Sequence, residues 1–175
     1  MRYARIINTD FTNGLGVGQT IFLQGCNFHC KGCFNSELWD FNKGKEFTED
    51  IKNSFLESLN RSYIKRVTFL GGEPLADENT KDVYSLIINI KSNYPHKKIW
   101  VYTGNMFENI WFIEPNNEIE MNRKEIIKLI DVLVDGPFVL EKRDLSLPFR
   151  GSSNQRIIDC KKSIKENKII TLYNS

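Results

Sequence analysis

Two rhythms of apolar residues alternate along this chain: short runs bounded by glycine or polar turns, and longer stretches in which apolar positions return every three or four residues. Residues 3–7 and 17–24 read as strands, the second carrying Ile21-Phe22-Leu23 and ending at Gly25. Thr48 suits a helix N-cap, and Ile51, Phe55 and Leu59 then share one face at a spacing of four. A short buried-type strand over 65–70 stops at Gly71-Gly72. Val83, Leu86, Ile87 and Ile90 form the apolar face of a helix that Pro95 stops. Residues 99–102 predict a strand ending at Thr103-Gly104, 122–130 a helix with Ile126, Ile127 and Ile130 inward, and 132–134 a strand closed by Asp135-Gly136-Pro137. Residues 113–121 read as a surface loop.

Strands alternating with helices imply parallel βα units with right-handed crossovers. Four or five units fall short of the eight-unit barrel of about 250 residues. The prediction is therefore an α/β fold, an incomplete (open) TIM-like barrel of parallel βα units. In such folds chemistry gathers at the carboxyl ends of the strands. A glycine-containing segment follows each predicted parallel strand here, so the fold and the motifs point to one rim.

At 175 residues the length suits a single domain, 1–175, with a real core. The 41% hydrophobic and 26% charged content is that of a globular protein. A formal charge of +2 drives no binding to nucleic acid or to an anionic membrane surface. The N-terminal residues turn polar at Asn8-Thr9-Asp10, and no run approaches the roughly 18 apolar residues of a membrane span, so the expectation is a cytoplasmic protein.

Cysteine usage changes the picture most. Cys26, Cys30 and Cys33 fall within eight residues in the pattern C-x3-C-x2-C, and Cys160 stands alone beside lysines. Clustered thiols in a reducing compartment bind metal or do chemistry rather than form disulfides. A closed structural zinc site wants four ligands, and a four-iron cluster wants one per iron. Three cysteines leave one iron without a protein ligand, which is an open position for a substrate. The alternative is zinc completed by His29 or Cys160; His29 reads otherwise as a solvated loop residue, and Cys160 as structural or incidental.

The three-cysteine spacing resembles the radical S-adenosylmethionine superfamily. The resemblance implies a [4Fe-4S] cluster held by Cys26, Cys30 and Cys33, whose open iron chelates S-adenosyl-L-methionine (SAM). Reductive cleavage of SAM then releases a 5′-deoxyadenosyl radical, and no catalytic side chain is needed beyond the cluster and cofactor. Members commonly carry an aromatic before the third cysteine; here that position is Gly32 and the aromatic follows, as Phe34. By the same resemblance Gly32, Cys33 and Phe34 contact the cofactor, Gly71-Gly72-Glu73-Pro74 holds its amino group, and Thr103 reaches its ribose or carboxylate. Asp135 would accept hydrogen bonds from the ligand or the partner backbone. Thr103-Gly104 and Asp135 have plain readings too, as turns after strands.

Further stretches look like one branch, the anaerobic ribonucleotide reductase activating enzymes. They are Tyr3-Ala4-Arg5-Ile6, Asp10-Phe11-Thr12-Asn13-Gly14, Phe34-Asn35, Leu133-Val134-Asp135-Gly136-Pro137-Phe138 and Arg150-Gly151-Ser152-Ser153-Asn154-Gln155-Arg156. The branch implies that the radical removes a hydrogen from one glycine of the large reductase subunit, with an electron donor such as reduced flavodoxin. Arg150 and Arg156 suggest a docking segment for that partner, or else a solvated connection. The rivals are an activating enzyme for a pyruvate-formate-lyase-like target and a non-catalytic zinc module. Larger activators often carry extra cysteine motifs, and this chain has none.

Overall fold

The computed structural model describes residues 1–173. One seven-stranded sheet runs through it, with strands β1 (Arg2–Asp10), β2 (Gly18–Leu23), β3 (Lys45–Glu46), β4 (Arg66–Gly71), β5 (Lys98–Tyr102), β6 (Val132–Asp135) and β7 (Arg156–Asp159). The helices are α1 (Glu49–Ser58), α2 (Asp77–Asn93), α3 (Phe107–Trp111), α4 (Glu118–Leu129) and α5 (Cys160–Glu166). Strand order is β3-β1-β2-β4-β5-β6-β7.

The predicted parallel arrangement holds at the centre of the sheet and fails at its edges. β2, β4, β5 and β6 are parallel neighbours, whereas β1 runs antiparallel to β2 and to β3, and β7 antiparallel to β6. The sheet is not closed, and it is mixed rather than a series of parallel βα units. Connection length is the physical reason on the β1 side. Only residues 11–17 join β1 to β2, which is too short for a parallel crossover and leaves an antiparallel return as the solution.

Side-chain alternation divides the sheet into two faces. Ile21 and Leu23, Val67 and Phe69, Ile99 and Val101, Leu133 and Ile158 point to one side and form a single core with the helices. Phe55 and Leu59 of the α1 region, Val83, Leu86, Ile87 and Ile90 of α2, and Ile126, Ile127 and Ile130 of α4 fill the other half of that core, as the spacing predicts. The next residues along each strand, Phe22, Leu70, Trp100, Tyr102 and Val134, face the opposite side, where among the described residues no α-helix joins their clusters. Thr48 caps α1 by accepting from Ile51 N–H. α4 begins at Glu118, four residues before the predicted start, because Asn117 accepts from Glu120 N–H at 2.9 Å while Glu120 accepts from Asn116 N–H at 2.7 Å. The predicted 113–121 loop is thus helical from Glu118.

A buried ion pair anchors the helix-free face. Arg66, 0% exposed, donates to Asp10 Oδ2 at 2.8 Å and to Thr68 Oγ1 at 2.6 Å. Burial works against a charged Asp10, but hydrogen bonds from Thr20, Thr12 and Arg66 outweigh it and hold the carboxyl well below its ordinary range. Gly18 exists for this pair, since a Cβ there would lie 2.4 Å from Arg66 Cγ.

Candidate functional site

The parallel strands β2, β4, β5 and β6 send their carboxyl ends to one rim, and the loop after β2 carries the three cysteines. Gly25 starts that loop at φ +93, with the Phe41 ring 1.9 Å from where a Cβ would be, so no other residue fits. The chain then passes through left-handed conformation at His29 (φ 48) and Gly32 (φ 73). Backbone N–H groups face each sulfur: those of Phe28 and His29 at Cys26, that of Phe138 at Cys30, and that of Asn35 at Cys33, 3.4 Å away. Burial pushes the Cys26 and Cys30 thiols up, and these donors pull them back.

Cys26, Cys30 and Cys33 line one cavity of about 570 Å³. It extends from the cysteine loop over the helix-free face of the sheet, along Arg5, Ile7, Phe22, Leu70 and Tyr102, to Phe138, Leu147, Phe149 and Arg150. Cys160 is elsewhere, fully buried in the core on the helical face, where burial pushes its thiol well up. The His29 ring stacks on Trp39 at 4.7 Å and does not line the cavity. The four ligands of a closed zinc site are therefore not assembled. Among the described residues no three His, Cys, Asp or Glu side chains converge to hold a single ion. Three thiols around one cavity, each with an amide donor, fit a cluster that takes one thiolate per iron and has a further iron open.

Gly71 and Gly72 bring the end of β4 against the base of the cysteine loop. A Cβ on Gly71 would lie 2.7 Å from Leu23 N, and one on Gly72 would lie 2.2 Å from Gly25 O. Glu73 N–H donates to that same Gly25 carbonyl at 2.7 Å. The Glu73 carboxylate, 2% exposed, accepts from Leu75 N–H and Thr103 Oγ1 on one oxygen, both at 2.8 Å, and from Gly104 N–H on the other at 2.7 Å. Burial pushes this carboxyl up, against the three donors that favour its charged form. Among the described residues Glu73 is the sole acidic one lining the cavity, and Arg5 and Arg150 are its cations.

The structure brings Cys26, Cys30, Cys33, Phe34, Gly71, Gly72, Glu73 and Thr103 to this cavity and leaves Gly32 and Asp135 outside its lining. At Gly32 a Cβ would meet Leu140 at 2.8 Å, so its glycine serves the fit of the loop against residue 140. Asp135 is fully buried and accepts from Phe107 N–H at 2.8 Å and from Arg156 Nε at 2.9 Å. Arg156 also grips both oxygens of Glu108, at 2.8 and 2.6 Å. Arg156 is thus engaged inside the protein, and of the two arginines singled out for docking only Arg150 lines the cavity.

Other residues of the site carried no motif. Asn79 of α2 donates to the carbonyls of Gln24 and Glu73 at 3.0 Å each, tying the helix to both strand ends. Phe28, inside the cysteine loop, covers Gly104, where a Cβ would lie 2.6 Å from its ring. A bulky aromatic between two of the clustered cysteines was the available signal for Phe28; nothing marked Asn79.

Comparison with known proteins gives one consistent result. A family model described as a 4Fe-4S single cluster domain matches residues 12–158. The anaerobic ribonucleoside-triphosphate reductase-activating protein of Escherichia coli K12 is 37% identical over 157 residues, which cover 89% of this chain and 96% of that protein. The proteins of the same name from Enterobacteria phage T4 and Haemophilus influenzae are each 35% identical over 90% of this chain, covering 93% and 97% of their own lengths. With its cysteine loop, glycine strand end and near full-length identity to these proteins, the chain belongs to the family of anaerobic ribonucleoside-triphosphate reductase-activating proteins.

Proposed function

We infer that this chain is an activating enzyme that uses a [4Fe-4S] cluster and SAM to install a glycyl radical on an anaerobic ribonucleoside-triphosphate reductase. The observation that carries the reading is the convergence of Cys26, Cys30 and Cys33 on one cavity with the glycine end of β4. Identity to activating proteins along nearly their whole length supports the target. The open sheet, with helices on one face and the site on the other, reads as an incomplete TIM-like barrel within a single radical SAM domain. When bound, the cluster and SAM supply one-electron cleavage to methionine and a 5′-deoxyadenosyl radical, which takes a hydrogen atom from the reductase glycine to give 5′-deoxyadenosine.

The chain's own residues then have distinct tasks. Cys26, Cys30 and Cys33 hold the cluster. The strand end at Gly71 and Gly72 offers backbone groups to the cofactor's amino group, and Thr103, Phe34 and the turn at Gly32-Cys33 border it. Glu73 keeps the ends of β4 and β5 at fixed separation through Thr103 and Gly104. Phe22, Leu70, Tyr102 and Phe149 give the cavity apolar walls that keep water from a reactive carbon radical. Asp135 acts at one remove, by fixing Arg156 and the start of α3. The electron comes from a carrier such as reduced flavodoxin, in the cytoplasm; among the described residues no helix is long and apolar enough to cross a membrane.

The test is anaerobic incubation of the reconstituted protein with SAM, a reductant and the anaerobic ribonucleoside-triphosphate reductase of the same genome. A glycyl radical signal on the reductase is expected, erased when its radical-site glycine is changed to alanine. A radical formed instead on a pyruvate-formate-lyase-like enzyme would overturn the target.

A further inference from the structure

Phe11, Leu15 and Leu145 are the most exposed large apolar side chains among the described residues, at 68%, 68% and 73%. Scattered exposed apolar groups are ordinary, whereas grouped ones mark interaction sites. These three belong to two neighbouring segments. The 11–17 link and the 143–152 segment meet over Trp100: a Cβ on Gly14 would lie 2.9 Å from its Cδ2, and the Phe149 ring packs on it at 5.5 Å. Both segments border the cysteine cavity, Thr12 and Asn13 lining it from one and Leu145, Leu147 and Phe149 from the other. Thr12 and Leu145 line it while exposed to solvent, so the cavity opens where they stand. The same turn presents an apolar residue in each segment. Asp10 Oδ1 accepts from Thr12 N–H at 3.0 Å and from Thr12 Oγ1 at 2.8 Å, with Phe11 between them. Asp144 Oδ1 accepts from Ser146 N–H at 2.8 Å and from Ser146 Oγ at 2.6 Å, with Leu145 between them. An aspartate that bonds two residues ahead fixes the backbone of the residue it spans, so both side chains are held in place before any partner arrives.

Resting on the reading of the reductase as the target, we propose that Phe11, Leu15 and Leu145 form the apolar centre of the surface that receives the reductase at the cavity opening. The reaction requires contact there. A glycine of another protein has to come within hydrogen-transfer distance of a carbon held in the cavity, so its chain passes the edge where the cavity opens. None of the three side chains belongs to a core cluster, so the fold itself makes little use of their apolar character. Apolar anchors that lose water on binding are what concentrate affinity at the centre of an interface. The matching surface on the reductase is apolar and flanks the segment that carries the radical-site glycine. A second copy of this chain seated on the same three residues would close the cavity to its protein substrate, which leaves the reductase as the occupant.

The experiment uses the full chain, reconstituted anaerobically, with iron and sulfide counted first, and the anaerobic ribonucleoside-triphosphate reductase of the same genome. The double variant Phe11→Ser, Leu15→Ser should raise the dissociation constant for the reductase about tenfold or more. Neither residue lines the cavity, so 5′-deoxyadenosine formed from SAM without the reductase should stay at the wild-type rate. Glycyl radical formation should slow at low reductase concentration and recover at saturation. Leu145→Ser should weaken the complex in the same direction, and the conservative pair Phe11→Leu, Leu15→Met should keep most of the affinity. A fully loaded double variant with unchanged affinity for the reductase overturns the proposal. So does a parallel fall in 5′-deoxyadenosine formation without the reductase, which would assign the link to the fold or the cofactor site. Altered self-association with unchanged reductase affinity overturns it in favour of a second copy. If the wild type forms a radical on another enzyme and does not bind the reductase, the functional reading fails first and this proposal falls with it.

Discussion

Glu73 and Gly104 are joined across the rim, the carboxylate of one accepting the backbone N–H of the other at 2.7 Å. That bond, with the one from Thr103 Oγ1, couples the end of β4 to the end of β5 directly beneath the cysteine loop. The Gly-Gly-Glu-Pro segment therefore works inward as well as outward. Its glycines admit the Gly25 carbonyl, its glutamate binds the next strand end, and its backbone is left for the ligand.

Glu73→Gln should expose this coupling. A glutamine amide placed against Gly104 N–H or Leu75 N–H sets a donor against a donor, and the buried mismatch should cost about 1–3 kcal/mol. Thermal unfolding of the reconstituted protein should show the loss, and equilibrium dialysis should show weaker SAM binding. Wild-type stability in this variant would mean that the three hydrogen bonds do not hold the rim together.

Gly72→Ala should damage the cluster site rather than the cofactor contact alone. The added Cβ would lie 2.2 Å from the Gly25 carbonyl, which is backbone and cannot swing aside. Iron and sulfide per chain should fall together with SAM affinity. Gly16→Ala is the control: nothing lies within 4 Å of its Cβ, so it carries only the strain of φ +77 and should keep its cluster. Full loading of Gly72→Ala with intact SAM affinity would remove this segment from the site.

Asp131 gives a pH signature remote from the chemistry. It pairs with Lys91, Lys98 and Lys161 at 2.9, 3.2 and 2.8 Å and accepts from Ile99 N–H at 2.9 Å. Burial raises its pKa, but the bonds from Lys161, Ile99 and Lys91 outweigh that and set it at about 2, below the ordinary 3.8. Because the folded pKa is the lower one, the unfolded chain binds this proton first. The contribution is complete above about pH 4 and is lost as pH falls through about 2. Asp131→Asn should cost about 2 kcal/mol near neutrality and flatten the acid limb of stability. Urea unfolding of the cluster-free chain against pH checks it, and equal acid slopes in both proteins would contradict it.

The sequence made the centre of this fold legible and its edges obscure. The apolar run Ile21-Phe22-Leu23 reflects burial on both faces of the sheet, and the helical spacing of Val83, Leu86, Ile87 and Ile90 reflects burial against one core, so those elements could be located. Strand direction leaves no such periodic mark, and the antiparallel β1 was signalled only by the short 11–17 link. β7 has just Ile157 and Ile158 as buried residues between Arg156 and Asp159, too few for a pattern, and α5 after it is rich in lysine. At the site, the cysteines and glycines were legible because their chemistry and conformational freedom are rare. Whether a carboxylate such as Glu73 or Asp135 faces a ligand or its own backbone is decided by tertiary contacts, which local sequence does not carry. The same is true of the Arg156 grip on Asp135 and Glu108.

The central claim is that three cysteines hold a cluster with an open iron and that the fourth stands apart. The direct measurement is iron and sulfide per chain, together with 5′-deoxyadenosine formed from SAM under reductant, in Cys26→Ala, Cys30→Ala, Cys33→Ala and Cys160→Ala. Each of the first three removes a thiol from the cavity and should abolish 5′-deoxyadenosine formation. Cys160 lies fully buried in the helical core, so its variant should keep the cluster and its activity while losing some stability to the small void. Loss of the cluster from a folded Cys160→Ala, or 5′-deoxyadenosine formed at wild-type rate by any of the other three, would contradict the account.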